Sequence, residues 1–178
     1  MKKTLNRMRR LGIDEVVMLT GDSKDVAAEV ARDMDIDSYP AEILSEDKAN
    51  YVMKMQKRGN VMMVGDGIND APALAFADIG VSLGGNNTDI AAESAAITIR
   101  SEDPSKLYDA LYIGRETMRA INQNFTATIV VNSAAMLLGA LGKISPLWAA
   151  VIHNTATLAV VLNSVRILKP ARTIRRSA

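Results

Sequence analysis

The chain has 178 residues, a net charge of +1, 4% aromatic residues and no cysteine. This balance excludes a strong electrostatic field for nucleic acid and a base-stacking surface, so no nucleic-acid partner is expected. The absent thiols exclude disulfides and thiolate metal sites, and the length allows one or two domains. Charge crowds the first two thirds, whereas apolar residues crowd positions 125–168. Met1-Lys2-Lys3 is not followed by an apolar stretch, so no signal peptide is expected.

Leu5, Met8 and Leu11 recur at helical spacing among basic residues, which predicts an amphipathic helix over 2–11 ended by Gly12. Val16 to Leu19 reads as a buried strand. It ends in Thr20-Gly21-Asp22-Ser23, where a hydroxyl and several backbone N–H groups at a strand-to-helix turn suit a phosphoryl group. Asp22 or Ser23 also suits the cap of a helix over 24–34, and both uses draw on the same free amides. A short strand is expected at 41–44. A helix should follow to about Lys57, with Ser45 as its N-cap and Lys48 in its first turn, where the helix dipole disfavours a cation.

The centre of the chain is Val61-Met62-Met63-Val64-Gly65-Asp66-Gly67-Ile68-Asn69-Asp70. A short apolar run bounded by turn residues predicts a buried strand. Gly65 and Gly67 permit a sharp turn and close approach of a ligand. Asp66 and Asp70 place two carboxylates at the carboxyl end of the strand, where open parallel sheets bind ligands, and hard oxygens there suit Mg²⁺ together with a phosphate. Further strands are expected at 79–83 and 97–99, with a turn at 84–88 and a small-residue helix at 89–95. Asp78 and Asp89 read as turn and cap residues. The alternation of strands and helices predicts a parallel α/β sheet with helices on both faces.

Asp103-Pro104 predicts a helix start. The following pattern has a charged half to about residue 123 and an uncharged half over 125–141; a tight turn at 142–146 leads to a second apolar run over 147–165. Both runs are of the length that spans a bilayer. Arg115 and Arg119 flank one end of this hairpin, and Lys169, Arg172, Arg175 and Arg176 flank the other, while the connecting loop carries only Lys143. Basic flanks on one side put both ends, and the α/β part, in the cytoplasm. Asn124, Thr128 and Asn132 share one face, as do His153, Thr157 and Ser164, with Asn154 and Asn163 near the edges. Such groups serve either interhelical hydrogen bonds or an ion path.

Gly65-Asp66-Gly67-Ile68-Asn69-Asp70 resembles the hinge motif of P-type ATPases, members of the haloacid-dehalogenase superfamily. Thr20-Gly21-Asp22 and Glu46-Asp47-Lys48 resemble two further segments of that family, in matching order, although Ser45 stands where the family usually has proline. His153-Asn154 followed by Thr157, then Asn163-Ser164 with Arg166, resembles the heavy-metal-transporting class. The resemblance implies a haloacid-dehalogenase-like, Rossmann-like phosphorylation domain over 1–103, a helical stalk over 104–123, a two-helix transmembrane hairpin over 124–169 and a basic cytoplasmic tail over 170–178.

It also implies Mg²⁺ at Asp66 and Asp70, an ordered hinge through Asn69, phosphoryl contacts from Thr20, Gly21, Asp22 and Lys48, and ATP as the phosphoryl source. Asn132, His153 and Asn163 become candidates for the transported cation, with ligands suited to borderline divalent metals rather than Cu⁺. No Asp-Lys-Thr-Gly, Thr-Gly-Glu or Cys-Pro segment occurs in the 178 residues. The expectation is therefore a portion of a pump, partnered by an N-terminal portion and a lipid bilayer, and inactive by itself. A membrane-anchored phosphatase and a non-catalytic membrane subunit are the alternatives.

Overall fold

The computed structural model describes residues 1–66, 69–84 and 93–168. It divides into two compact units, Met1–Tyr108 and Asp109–Ala178.

In the first unit α1 (Lys2–Arg10) buries Leu5 and Met8. It stops at Gly12, whose φ of +83° lets the amides of Gly12 and Ile13 reach back to the carbonyls of Arg9 and Met8. Next come α2 (Lys24–Met34), α3 (Ser45–Gln56), β1 (Met62–Gly65), α4 (Ala71–Phe76), β2 (Ile79–Leu83) and β3 (Ile97–Ile99). The strands pair in parallel in the order β1-β2-β3, with Val64 opposite Val81 and Val81 opposite Ile97. Val52, Ala73, Leu74 and Val81 form the tightest part of the core. The sheet is thus of the parallel kind expected. The predicted turn at 84–88 and helix at 89–95 fall largely outside the described residues, as do Gly67 and the basic tail.

Two predicted strands take a different form. Residues 16–20 are extended but make only one regular bridge, Val17 with Ser38 in parallel. The partner is 38–40 rather than 41–44. Met18 N–H donates to the Ser38 carbonyl and Thr20 N–H to the Pro40 carbonyl. The bond that should alternate with these would need an amide at Pro40, and proline has none, so no regular ladder develops. Residues 41–44 instead fold back as a strap: Glu42 and Ile43 donate their amides to the carbonyls of Asp22 and Thr20.

Capping also differs from expectation. Leu44, not Ser45, occupies the N-cap position of α3, because its carbonyl already accepts the amides of Asp47 and Lys48. Ser23 does precede α2, but its side chain makes no capping bond. At the start of α5 (Ser105–Ala140) the Asp103 carboxylate accepts the Ser105 amide at 2.9 Å, as the Asp-Pro signal predicts within one residue.

Two aspartates close the amino ends of successive strand–helix–strand passages. Asp37 Oδ2 accepts Val16 N–H at 2.7 Å, and Asp78 Oδ2 accepts Val61 N–H at 2.7 Å. Arg9 adds a 2.8 Å ion pair to Asp37. The amide of Val16 first, and then Arg9, hold the Asp37 carboxyl below its ordinary value.

In the second unit α5 and α6 (Pro146–Val165) run antiparallel, joined at Gly142. Gly142 has a φ of +67°, and the amides of Gly142 and Lys143 return to the carbonyls of Gly139 and Leu138. Gln123 meets Arg166, Asn124 meets Asn163 and Ser164, and Asn132 meets His153. Among the described residues one helix, Pro146–Val165, is long and apolar enough to cross a membrane. The uncharged half of α5 is diluted by Asn124, Thr126, Thr128, Asn132 and Ser133, so the helical hairpin is present while a second span is not established.

A carboxyl group with a lowered native pKa stabilises the fold above its unfolded value, and that contribution fades as pH falls through the native value. The stability gap between the wild type and Asp37→Asn should be widest above the ordinary carboxylate range and should narrow as pH falls below it. Urea midpoints measured across this range check it; a gap independent of pH would contradict the assignment.

Candidate functional site

The site forms at the carboxyl end of β1. Asp66 follows the strand directly and is exposed, as is Asn69. Asp70 sits at the N-cap position of α4, where its carbonyl accepts Leu74 N–H at 2.9 Å. Its side chain does not cap that helix. It turns back over β1, and a Cβ built on Gly65 would lie 2.5 Å from Asp70 Oδ2. Gly65 is therefore required by close approach of a carboxylate, not by a left-handed backbone.

The other Asp70 oxygen is held by Lys48. Nζ donates to Oδ1 at 2.7 Å, and the two side chains are only 15% and 14% exposed. Lys48 lies in the first turn of α3, an unfavourable end for a cation, and the Asp70 carboxylate offsets that cost. The pair ties α3 to α4 across 22 residues of sequence. A lysine placed against its helix dipole was the one signal in the sequence that called for such a partner.

Thr20 and Asp22 form a second arrangement. The Thr20 hydroxyl donates to Asp22 Oδ2 at 2.8 Å, and Asp22 N–H donates to Thr20 Oγ1 at 3.1 Å. The strap at 42–43 fastens the same turn from outside.

The donor set at β1 fits a hard cation in part. Asp66 presents a carboxylate to solvent, and Asp70 offers an oxygen already shared with Lys48. Among the described residues no three His, Cys, Asp or Glu side chains cluster as ligands. An ion of the Mg²⁺ type would complete its shell with water and phosphate oxygens, which is its ordinary habit.

The helical hairpin sorts the remaining candidates into two levels. Asn132 Oδ1 and His153 Nδ1 are 3.0 Å apart. Asn163 donates instead to Asn124 Oδ1 at 2.8 Å, and Asn124 donates to Ser164 Oγ at 2.8 Å. Asn124 and Asn132 are two turns apart, about 12 Å along the helix. Asn132 and His153 are thus brought together, and Asn163 is not with them. Asn124 and Ser164 join the polar seam although neither was a candidate site residue.

Removing one partner of a largely buried ion pair leaves an uncompensated charge. Lys48→Met should lower unfolding free energy by about 3 kcal/mol. Lys48→Met combined with Asp70→Leu should recover much of that loss. Chemical denaturation of Lys48→Met, Asp70→Leu and the double variant checks this; a loss in the double variant equal to the sum of the two single losses would show that the pair carries no coupling.

A family model for haloacid dehalogenase-like hydrolases matches residues 1–78. The chain is 43% identical to the manganese-exporting P-type ATPase of Mycobacterium leprae, over 94% of this chain and 23% of that protein. It is 44% identical to the zinc-exporting P-type ATPase of Mycobacterium marinum over the same shares. It thus spans about a quarter of the length of these curated relatives. A crystal structure of a zinc-transporting PIB-type ATPase in the E2.Pi state superposes with a TM-score of 0.85 at 32% identity, covering 94% of this chain and 27% of that one. With its parallel sheet, its Gly-Asp-Gly strand end and these likenesses along nearly its whole length, the chain belongs to the heavy-metal P-type ATPases and corresponds to their C-terminal region.

Proposed function

We propose that this chain supplies the Mg²⁺-binding and phosphoryl-contacting hinge, together with two membrane helices, of an ATP-driven pump for a divalent heavy-metal cation. The observation that supports this reading best is the Lys48–Asp70 pair packed over Gly65 beside the exposed carboxylate of Asp66. Asp70 holds the Lys48 ammonium at the carboxyl end of the sheet, where it faces an incoming phosphoryl group. Thr20 and the amides of its turn offer hydrogen bonds to the same group. Asn69 orders the hinge loop. Mg²⁺, bound through Asp66 and Asp70, would neutralise charge that builds on a transferring phosphoryl group. ATP is the phosphoryl source, and an aspartate outside this sequence receives the group.

In the same reading the hairpin crosses the bilayer twice, with both ends in the cytoplasm. The exposed apolar side chains Leu147, Trp148, Leu158 and Leu162 of α6 then face lipid or other helices. Asn132 and His153 offer an amide oxygen and an imidazole nitrogen to the cation, a set that suits Zn²⁺ or Mn²⁺ better than Cu⁺. The relatives' names point to the same metals.

Two measurements test the proposal. Mg²⁺ titration of the wild type followed by amide NMR should move the signals around Asp66, and Asp66→Ala should weaken the affinity about tenfold, in line with losing one charged ligand. Equal affinities would remove the metal assignment. Co-expression with the upstream portion of the Mycobacterium marinum relative should restore ATP hydrolysis stimulated by a divalent metal, weakened by His153→Ala. Stimulation by Cu⁺ alone, indifferent to His153→Ala, would overturn the ion assignment.

A further inference from the structure

We propose that Ser82 is a positioning residue of the candidate site: its buried hydroxyl is a reserve donor that takes up the Asp70 carboxylate when Lys48 turns to a phosphoryl group. The Ser82 side chain is fully enclosed in β2, and its Oγ has no hydrogen-bond partner among the described residues. Buried hydroxyls are rarely left so, because the hydration given up on burial is then not replaced. Alanine would fill the same place without that cost, so the hydroxyl calls for a use.

The sheet sets it beside Asp70. Ser82 lies opposite Gly65 across the parallel β1–β2 ladder, and partners in register direct their side chains to one face. On that face a Cβ at Gly65 would lie 2.5 Å from Asp70 Oδ2. Gly80, two residues before Ser82 and therefore on the same face, has the Leu74 carbonyl against its own Cβ position. Helix α4 thus lies across this face, with Asp70 over Gly65 and Leu74 over Gly80. Ser82 stands one strand from Gly65, about 4.8 Å away. Rotation of the serine about its Cα–Cβ bond, and of the carboxylate about its own, closes the gap. Thr98, opposite Ser82 on β3, takes no hydrogen bond from it.

Asp70 needs such a donor at one moment. In the structure Lys48 Nζ donates to Asp70 Oδ1 at 2.7 Å, and both side chains are mostly buried. As a phosphoryl group draws the ammonium, its hold on Asp70 weakens. A carboxylate with so little water around it is costly without a donor. The serine hydroxyl restores one hydrogen bond and adds no charge to compete with Lys48. Its unmade bond raises the energy of the resting arrangement and is relieved in the loaded one, so the gain falls where phosphoryl is bound. This use deepens the phosphoryl-contacting role proposed for Lys48 and rests on it; the pairing of Ser82 with Asp70 does not.

The test reads the pairing by itself, without ATP, metal or phosphate. Urea midpoints of the first unit are taken at neutral pH from amide NMR signals of β1 and β2 in the full chain in detergent. In the wild type, Ser82→Ala should leave the midpoint unchanged or raise it, since an unbonded group is removed. In Lys48→Met, where Asp70 has lost its lysine, Ser82→Ala should lower the midpoint by roughly 0.5–1 M. In Lys48→Met combined with Asp70→Leu, it should again be neutral or favourable. Ser82→Thr keeps the hydroxyl and should have the same effect in the wild type and in Lys48→Met, whatever its extra methyl costs. Lys48→Gln is the milder background should Lys48→Met fail to fold, and the effect there should have the same sign. An effect of Ser82→Ala that is equal in all backgrounds, or already destabilising in the wild type, would overturn the proposal. Such a result leaves the Mg²⁺ assignment untouched, because that stands or falls with the Asp66→Ala titration.

Discussion

The arrangement of the first unit turns on one ion pair. Lys48 and Asp70 lie 22 residues apart, on two different helices, and meet above a position where no side chain fits. Each member solves a problem for the other. The ammonium sits at a helix end that repels it, and the carboxylate sits where little water reaches it. Gly65 lets them meet over the strand, so the strand, the two helices and the pair are mutually dependent. Asp66 is thereby left on the exposed side of the same turn, free of the burial that constrains Asp70.

Much of this was legible in the sequence, for identifiable reasons. The run Val61 to Val64 ends in Gly-Asp-Gly, and a short apolar stretch cut by turn residues has few other readings. Helix ends at Gly12 and Gly142 were legible because both glycines occupy a left-handed position that few other residues tolerate. The parallel pairing followed from alternation of element types.

The failures have local causes. Ile43 and Leu44 suggested a strand by their apolarity, yet the pairing segment lies just before them, where Pro40 denies the ladder one amide. Ser45 suggested a cap by its hydroxyl, yet the Leu44 carbonyl starts the helix one residue earlier. Pairings across long separations leave little trace in sequence: Lys48 at an unfavourable helix end called for a partner, but nothing marked Asp70 as that partner. In the hairpin, spacing by four put Asn124 and Asn132 on one face, but which partner each meets depends on the register set by the Gly142 turn. That register divides Asn163 from His153.

The two aspartates that grip Val16 and Val61 have a kinetic consequence. Each closes a loop of modest span, 21 residues for Asp37 and 17 for Asp78. Closing a loop of that size costs little chain entropy, and contacts of short range form early in folding. The first unit is therefore a series of small, self-fastening passages. Each can close as soon as its own residues are available, before the longer-range pairings of the sheet are complete.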